Sequence, residues 1–139
     1  MIIVAIDPGP HTGVAVRLSD GTLDHFMIHN NLQEVWKYLV TLQPNVVIVE
    51  RFRAGGMISS DGLRTVEIQG SIFSLAWMLG SQMYVQTPGD RKPFEEQARK
   101  LIAANRTKIQ SHDVDAVAHL LRWEYMEAQH QQRQPVVQP

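Results

Sequence analysis

The chain has 139 residues, 44% hydrophobic and 19% charged, which suits one globular domain with a single core. It holds no cysteine, so a disulfide framework and a thiolate metal site are both excluded. Its formal net charge of -1 argues against a generic polyanion binder, though a total can hide an acidic site among basic surfaces, and no apolar run nears the roughly 20 residues that span a bilayer.

Residues 2–6 form an apolar run that closes on Asp7 and turns through Pro8-Gly9-Pro10. This predicts a buried strand that delivers a carboxylate to a sheet edge. Taken alone, Asp7 either caps its own turn or needs a cation, because an unpaired buried carboxylate costs several kcal/mol or more, on the order set by desolvation. Residues 12–18 and 22–29 read as two further strands joined by Ser19-Asp20-Gly21, a hairpin signal, giving three consecutive antiparallel strands. Asn30-Asn31 then offers a helix cap. Leu32, Val35, Trp36 and Leu39 repeat at helical spacing to about Leu42, with Pro44 as a stop. Val46-Val47-Ile48-Val49 is a second fully apolar, β-branched run, and it too ends in an acid, Glu50.

A helical crossover lets these two buried strands lie parallel and adjacent, so Asp7 and Glu50 emerge at the same sheet edge, where α/β folds bind ligands. Two like charges held together favour a divalent cation between them. The alternative for Glu50 is a strand-end ion pair with Arg51 or Arg53. Arg51-Phe52-Arg53, followed by Ala54-Gly55-Gly56, interleaves bases with an aromatic that can stack on a nucleobase while the arginines meet phosphates. An ordinary loop with one buried Phe reads almost as well.

From residue 61 to 79 a helical pattern is apolar nearly all round, interrupted by Gly70, and predicts a symmetric dimer through this helix. Residues 83–87 read as a fifth strand. Between Arg91 and Lys108 only Glu95 and Glu96 are acidic, so Arg91, Lys92, Arg99 and Lys100 are candidate phosphate contacts, with a solvated helix face as the alternative. The last helix starts near Ser111. Val114, Val117, Ala118 and Leu121 form its packing face, and His112, Asp115 and His119 share one flank. Asp115 can therefore join Asp7 and Glu50, with His112 beside it. Asp113, rotated roughly 160° away, is expected to stabilise the helix terminus, and His119 is expected to be a partly buried packing residue. Residues 1–128 are expected to form one domain and 129–139 a flexible, Gln-rich tail.

Hard oxygen ligands from two strand ends and a helix, with an imidazole at hand, suit Mg²⁺ or Mn²⁺, and two such ions can stabilise both oxygens of a phosphodiester displacement. With Ile6-Asp7-Pro8-Gly9, Thr12-Gly13, Val49-Glu50 and His112-x-x-Asp115-Ala116-x-Ala118 in this order, the chain resembles the RuvC-type Holliday-junction resolvases of the RNase H-like, retroviral-integrase-like superfamily. The resemblance implies an α/β, RNase H-like fold: a five-stranded mixed sheet, three strands antiparallel and then two parallel, flanked by helices. It also implies a cytoplasmic homodimer that nicks four-way DNA junctions in pairs, with Asp7, Glu50 and Asp115 as catalytic metal ligands and His112 as a fourth catalytic residue that either binds metal or positions the water or leaving group. Phe52 resembles the base-stacking aromatic of such enzymes but lies nearer the glutamate. The rival readings are an actin-like or sugar-kinase-like phosphate-binding ATPase lobe, which opens on a similar turn, and a non-catalytic junction binder.

Overall fold

The computed structural model describes residues 1–52, 59–103 and 111–133. Its chain order is β1 (Ile3–Asp7), β2 (His11–Arg17), β3 (Leu23–His29), α1 (Leu32–Leu42), β4 (Val46–Glu50), α2 (Ser60–Met78), β5 (Gln82–Gln86), α3 (Pro88–Arg91), a 3-10 turn (Lys92–Phe94), α4 (Glu95–Ala103) and α5 (Ser111–Arg133). The strands form one mixed sheet in the order β3-β2-β1-β4-β5. β1, β2 and β3 pair antiparallel, whereas β4 lies parallel to both β1 and β5, as the sequence predicts. The fifth strand starts and ends one residue earlier than expected. Residues 129–133, which the sequence places in a flexible tail, are helical and belong to α5.

Strand alternation sorts the core into two layers. Ile3, Ala5, Val46 and Ile48 face α4 and α5, while Val4, Ile6, Val47 and Val49 face α1 and α2. By the same alternation Asp7 and Glu50 continue the α5 side, and the parallel register Ile3↔Val46 through Ile6↔Val49 brings the two strand ends side by side. Glu50 in turn pairs with Gln86 of β5. The edge of the sheet therefore presents Asp7, Glu50 and Gln86 in a row to one helix.

That helix sits unusually low on the sheet because of a glycine. Gly13 is paired with Asp7 across β1 and β2. A Cβ there would lie 1.9 Å from the carbonyl oxygen of His112 and 2.9 Å from the amide nitrogen of Asp113. Only glycine lets the first turn of α5 rest directly on the sheet. The small Ala5 and Ala15 continue this seat, and Val114, Ala116, Val117, Ala118 and Leu120 are buried on it. Arg17 of β2 clamps α5 farther along through a bidentate pair with Glu124, at 2.7 and 3.1 Å. Among the described residues no helix is long and apolar enough to cross a membrane.

Candidate metal centre

Asp7 is buried at the end of β1, and the turn behind it is locked by Thr12 Oγ1 donating to the Gly9 carbonyl at 2.9 Å. Because α5 seats on Gly13, its first turn places His112 over this carboxylate. His112 Nδ1 donates to Asp7 Oδ2 at 2.8 Å, and the imidazole pKa is raised, chiefly by that hydrogen bond, against the opposing effect of burial. Asp115 follows one turn later. Asp7, His112 and Asp115 each offer a ligand atom, all within 4.8 Å of one another. The donor set of two carboxylates and one imidazole suits a hard or borderline divalent cation. Asp115 is pushed up to about 6, first by burial and then by Asp7, Glu50 and Glu95, while Arg91 opposes the shift. A buried carboxyl raised further by neighbouring acids marks a place where a cation is favoured.

Glu50, expected as a ligand beside them, lies outside that group. Its Oε2 accepts from Arg91 Nε at 2.8 Å and from His119 Nε2 at 2.6 Å. Burial pushes the Glu50 carboxyl up, but these two donors outweigh it and leave the pKa below its ordinary value. His119 is completely buried, and its Nδ1 lies 2.7 Å from Gln86 Oε1, so it is a polar brace for Glu50 rather than the half-buried packing residue expected. The signals for both partners were present: His119 stands four residues after Asp115 on one flank, and Gln86 closes the strand next to Glu50.

Arg91, expected to meet phosphate, turns inward instead. Besides Glu50, its guanidinium contacts Asp115 Oδ2 at 3.2 Å and Glu95 of α4. A capping box explains the direction: the Thr87 amide donates to Asp90 Oδ2 at 2.7 Å, and Arg122 holds Asp90 at 3.0 Å, fixing α3 against α5. Asp113 lies in the first turn of α5 and outside the ligand group. It is wholly buried and pairs with His25 Nδ1 of β3 at 3.1 Å, since the low seat of α5 buries its first turn. His11 and His29, not singled out in the sequence, meet at the rim with their Nδ1 atoms 2.8 Å apart, and the His11 ring lies 6.4 Å from that of His112.

Arg51 and Phe52 line a cleft of about 410 Å³ together with Glu50, Thr87 and Pro88. Lys92, Arg99 and Lys100 are exposed, Lys100 in a 2.8 Å pair with Glu96. Arg53 lies outside the described residues, as do Arg106 and Lys108.

Sheet order, crossover and the acidic edge together define an RNase H-like α/β fold of the RuvC type. The solved structures it is similar to are specific. Thermus thermophilus RuvC in complex with a Holliday junction substrate superposes with a TM-score of 0.72 at 18% identity, over 93% of this chain and 96% of that one. The yeast mitochondrial Holliday junction resolvase gives 0.64 at 13% identity, over 94% of this chain and 80% of that one. A fowlpox virus resolvase with its Holliday junction DNA gives 0.58 at 18% identity, over 93% and 99%. No protein-family model and no curated protein sequence matches the chain.

Proposed function

We propose that this protein is a metal-dependent, structure-selective endodeoxyribonuclease that resolves four-way or related branched DNA junctions by paired nicking. The observation that carries the proposal is the convergence of Asp7, His112 and Asp115 within 4.8 Å at the carboxyl edge of a RuvC-type sheet. Junction DNA occupies two of the solved structures with this fold, from T. thermophilus and fowlpox virus. Mg²⁺ or Mn²⁺ held by Asp7, His112 and Asp115 would supply an activated water and charge neutralisation for in-line phosphodiester hydrolysis, leaving 5′-phosphate and 3′-hydroxyl ends.

The chain's own residues divide the remaining work. His112 orients the Asp7 carboxylate through its Nδ1–H. His119 and Arg91 fix Glu50 at the neighbouring strand end. The cleft beside it offers Phe52 as a stacking surface for an unpaired base and Arg51 as a phosphate contact, while Lys92, Arg99 and Lys100 extend the basic surface. Paired nicking needs two such sites. Leu63, Val66 and Trp77 form an outward stripe on α2 with Gly70 at its middle; Trp77 is 81% exposed, and a Cβ at Gly70 would meet nothing within 4 Å. This stripe is the proposed homodimer face.

The test is a labelled four-way junction incubated with the full chain and Mg²⁺ or Mn²⁺, with linear duplex, flap and RNA–DNA hybrid as competitors. Symmetric nicks on the junction, abolished by Asp7→Asn with junction binding retained, support the proposal. Asp7→Asn cutting at the wild-type rate refutes it.

A further inference from the structure

Resting on the metal-centre reading above, we infer that the acidic site takes a single divalent ion, on Asp7, His112 and Asp115, and that the Arg91 guanidinium serves as its second cation, shared by Glu50 and Asp115. Three facts carry this. First, Glu50 is outside the 4.8 Å ligand group. Its Oε2 is held by Arg91 at 2.8 Å and His119 at 2.6 Å, which leaves Oε1 alone to meet an ion. Secondly, Arg91 is built into place: its side chain is only 17% exposed, it meets carboxylates from β4, α4 and α5, and the Thr87–Asp90 capping box and Arg122 fix the helix that bears it. Thirdly, a guanidinium cannot lose its proton, so its charge is permanent.

A divalent ion bridging Glu50 and Asp115 would have to displace this group, leaving a desolvated guanidinium without its carboxylates. If Arg91 stays, the ion would sit against a fixed positive charge. Both outcomes weaken a second ion relative to the first. Arg91 thus holds Glu50 and Asp115 together without metal, and Glu50 positions Arg91 rather than ligating the resident ion. The two-ion expectation becomes one ion and one arginine.

Mn²⁺ binding to the metal-free full chain, read by titration calorimetry and by the electron paramagnetic resonance of bound Mn²⁺, tests this without DNA. Expected are one Mn²⁺ per chain for wild type and a loss of affinity of about a hundredfold or more for Asp7→Asn and Asp115→Asn. Glu50→Gln should lose about tenfold at most, the low end for a group that acts only through the neighbours of the ligands. Arg91→Met should admit a second Mn²⁺ that the double variant Arg91→Met, Glu50→Gln no longer binds, and Arg91→Lys should restore a stoichiometry of one. Circular dichroism confirms that each variant is folded, and Arg91→Gln, which also removes the charge, carries the test should Arg91→Met unfold. Two ions in wild type, a hundredfold loss in Glu50→Gln, or an unchanged count in folded Arg91→Met would each overturn the inference. Junction cleavage is scored separately: one-ion binding without cleavage refutes the nuclease proposal alone, and cleavage with two bound ions refutes the one-ion inference alone.

Discussion

Gly13→Ala is the sharpest perturbation the fold offers, because it adds one carbon where the main chain of α5 already lies. The new Cβ would stand 1.9 Å from the His112 oxygen and 2.3 Å from its carbonyl carbon. A carbon and a carbonyl oxygen approach to about 3.3 Å at closest, so the two backbones must part by about 1.4 Å. No flexible side chain can yield, as the clashing atoms are main chain on both sides. Moving the start of α5 opens the packing of Val114, Ala116 and Val117, all at most 2% exposed. Strain of this kind costs about 1–3 kcal/mol. It also carries His112 and Asp115 away from Asp7 by about an ångström, which at a preorganised site weakens function by about a hundredfold. Gly9→Ala is the control, since its Cβ would meet nothing nearer than 3.6 Å. Urea melts, Mn²⁺ titration and junction cleavage of the two variants should separate cleanly. A Gly13→Ala protein with wild-type stability and metal affinity would refute the account of how α5 is seated.

The pH dependence follows from Asp115. With its folded pKa raised from the ordinary 3.8 to about 6, it favours the metal-free fold when protonated; that contribution is full below pH 3.8 and lost as pH rises through about 6. Metal-free Asp115→Asn should therefore gain about 1–2 kcal/mol over wild type between pH 4 and pH 7.5 in urea melts, once solvent screening is allowed for. Conversely, Mn²⁺ affinity should fall by up to about tenfold per pH unit below 6, because the ion needs the carboxylate. Exposed Lys92 and Arg99 should set salt dependence: the double alanine variant should lower the slope of log affinity against log salt by about 2 without changing which substrate is cut. Val66→Glu with Trp77→Glu on the outer stripe of α2 should yield monomers in sedimentation while preserving the fold, and a dimer that survives would move the interface elsewhere.

Much of this was legible along the chain. Two short, β-branched apolar runs ending in Asp7 and Glu50 read as core strands, and the helical crossover between them allows the parallel pairing that is observed. Asp115 and His112 were legible from helical spacing alone. Arg91 was not. Local composition shows a basic stretch and says nothing of a capping box that turns one arginine inward, away from Lys92 and Arg99. The burial of Asp113 was hidden for a related reason: helical spacing puts it in the first turn of α5, but only the missing side chain at Gly13 buries that turn against His25. A close approach of two backbones leaves no periodic trace, only a glycine.

The opposite shifts of Glu50 and Asp115 locate where a cation is still wanted. Both acids touch the same guanidinium, yet Glu50 lies below its ordinary pKa and Asp115 well above. Burial pushes both carboxyls up; at Glu50 the two donors His119 and Arg91 outweigh it, whereas at Asp115 the Arg91 charge does not, and Asp7, Glu50 and Glu95 add to the rise. Burial is thus outweighed at Glu50 and not at Asp115. A divalent ion gains most beside the carboxylate whose charge is least compensated, which is Asp115, with Asp7 and His112 completing the ligand set.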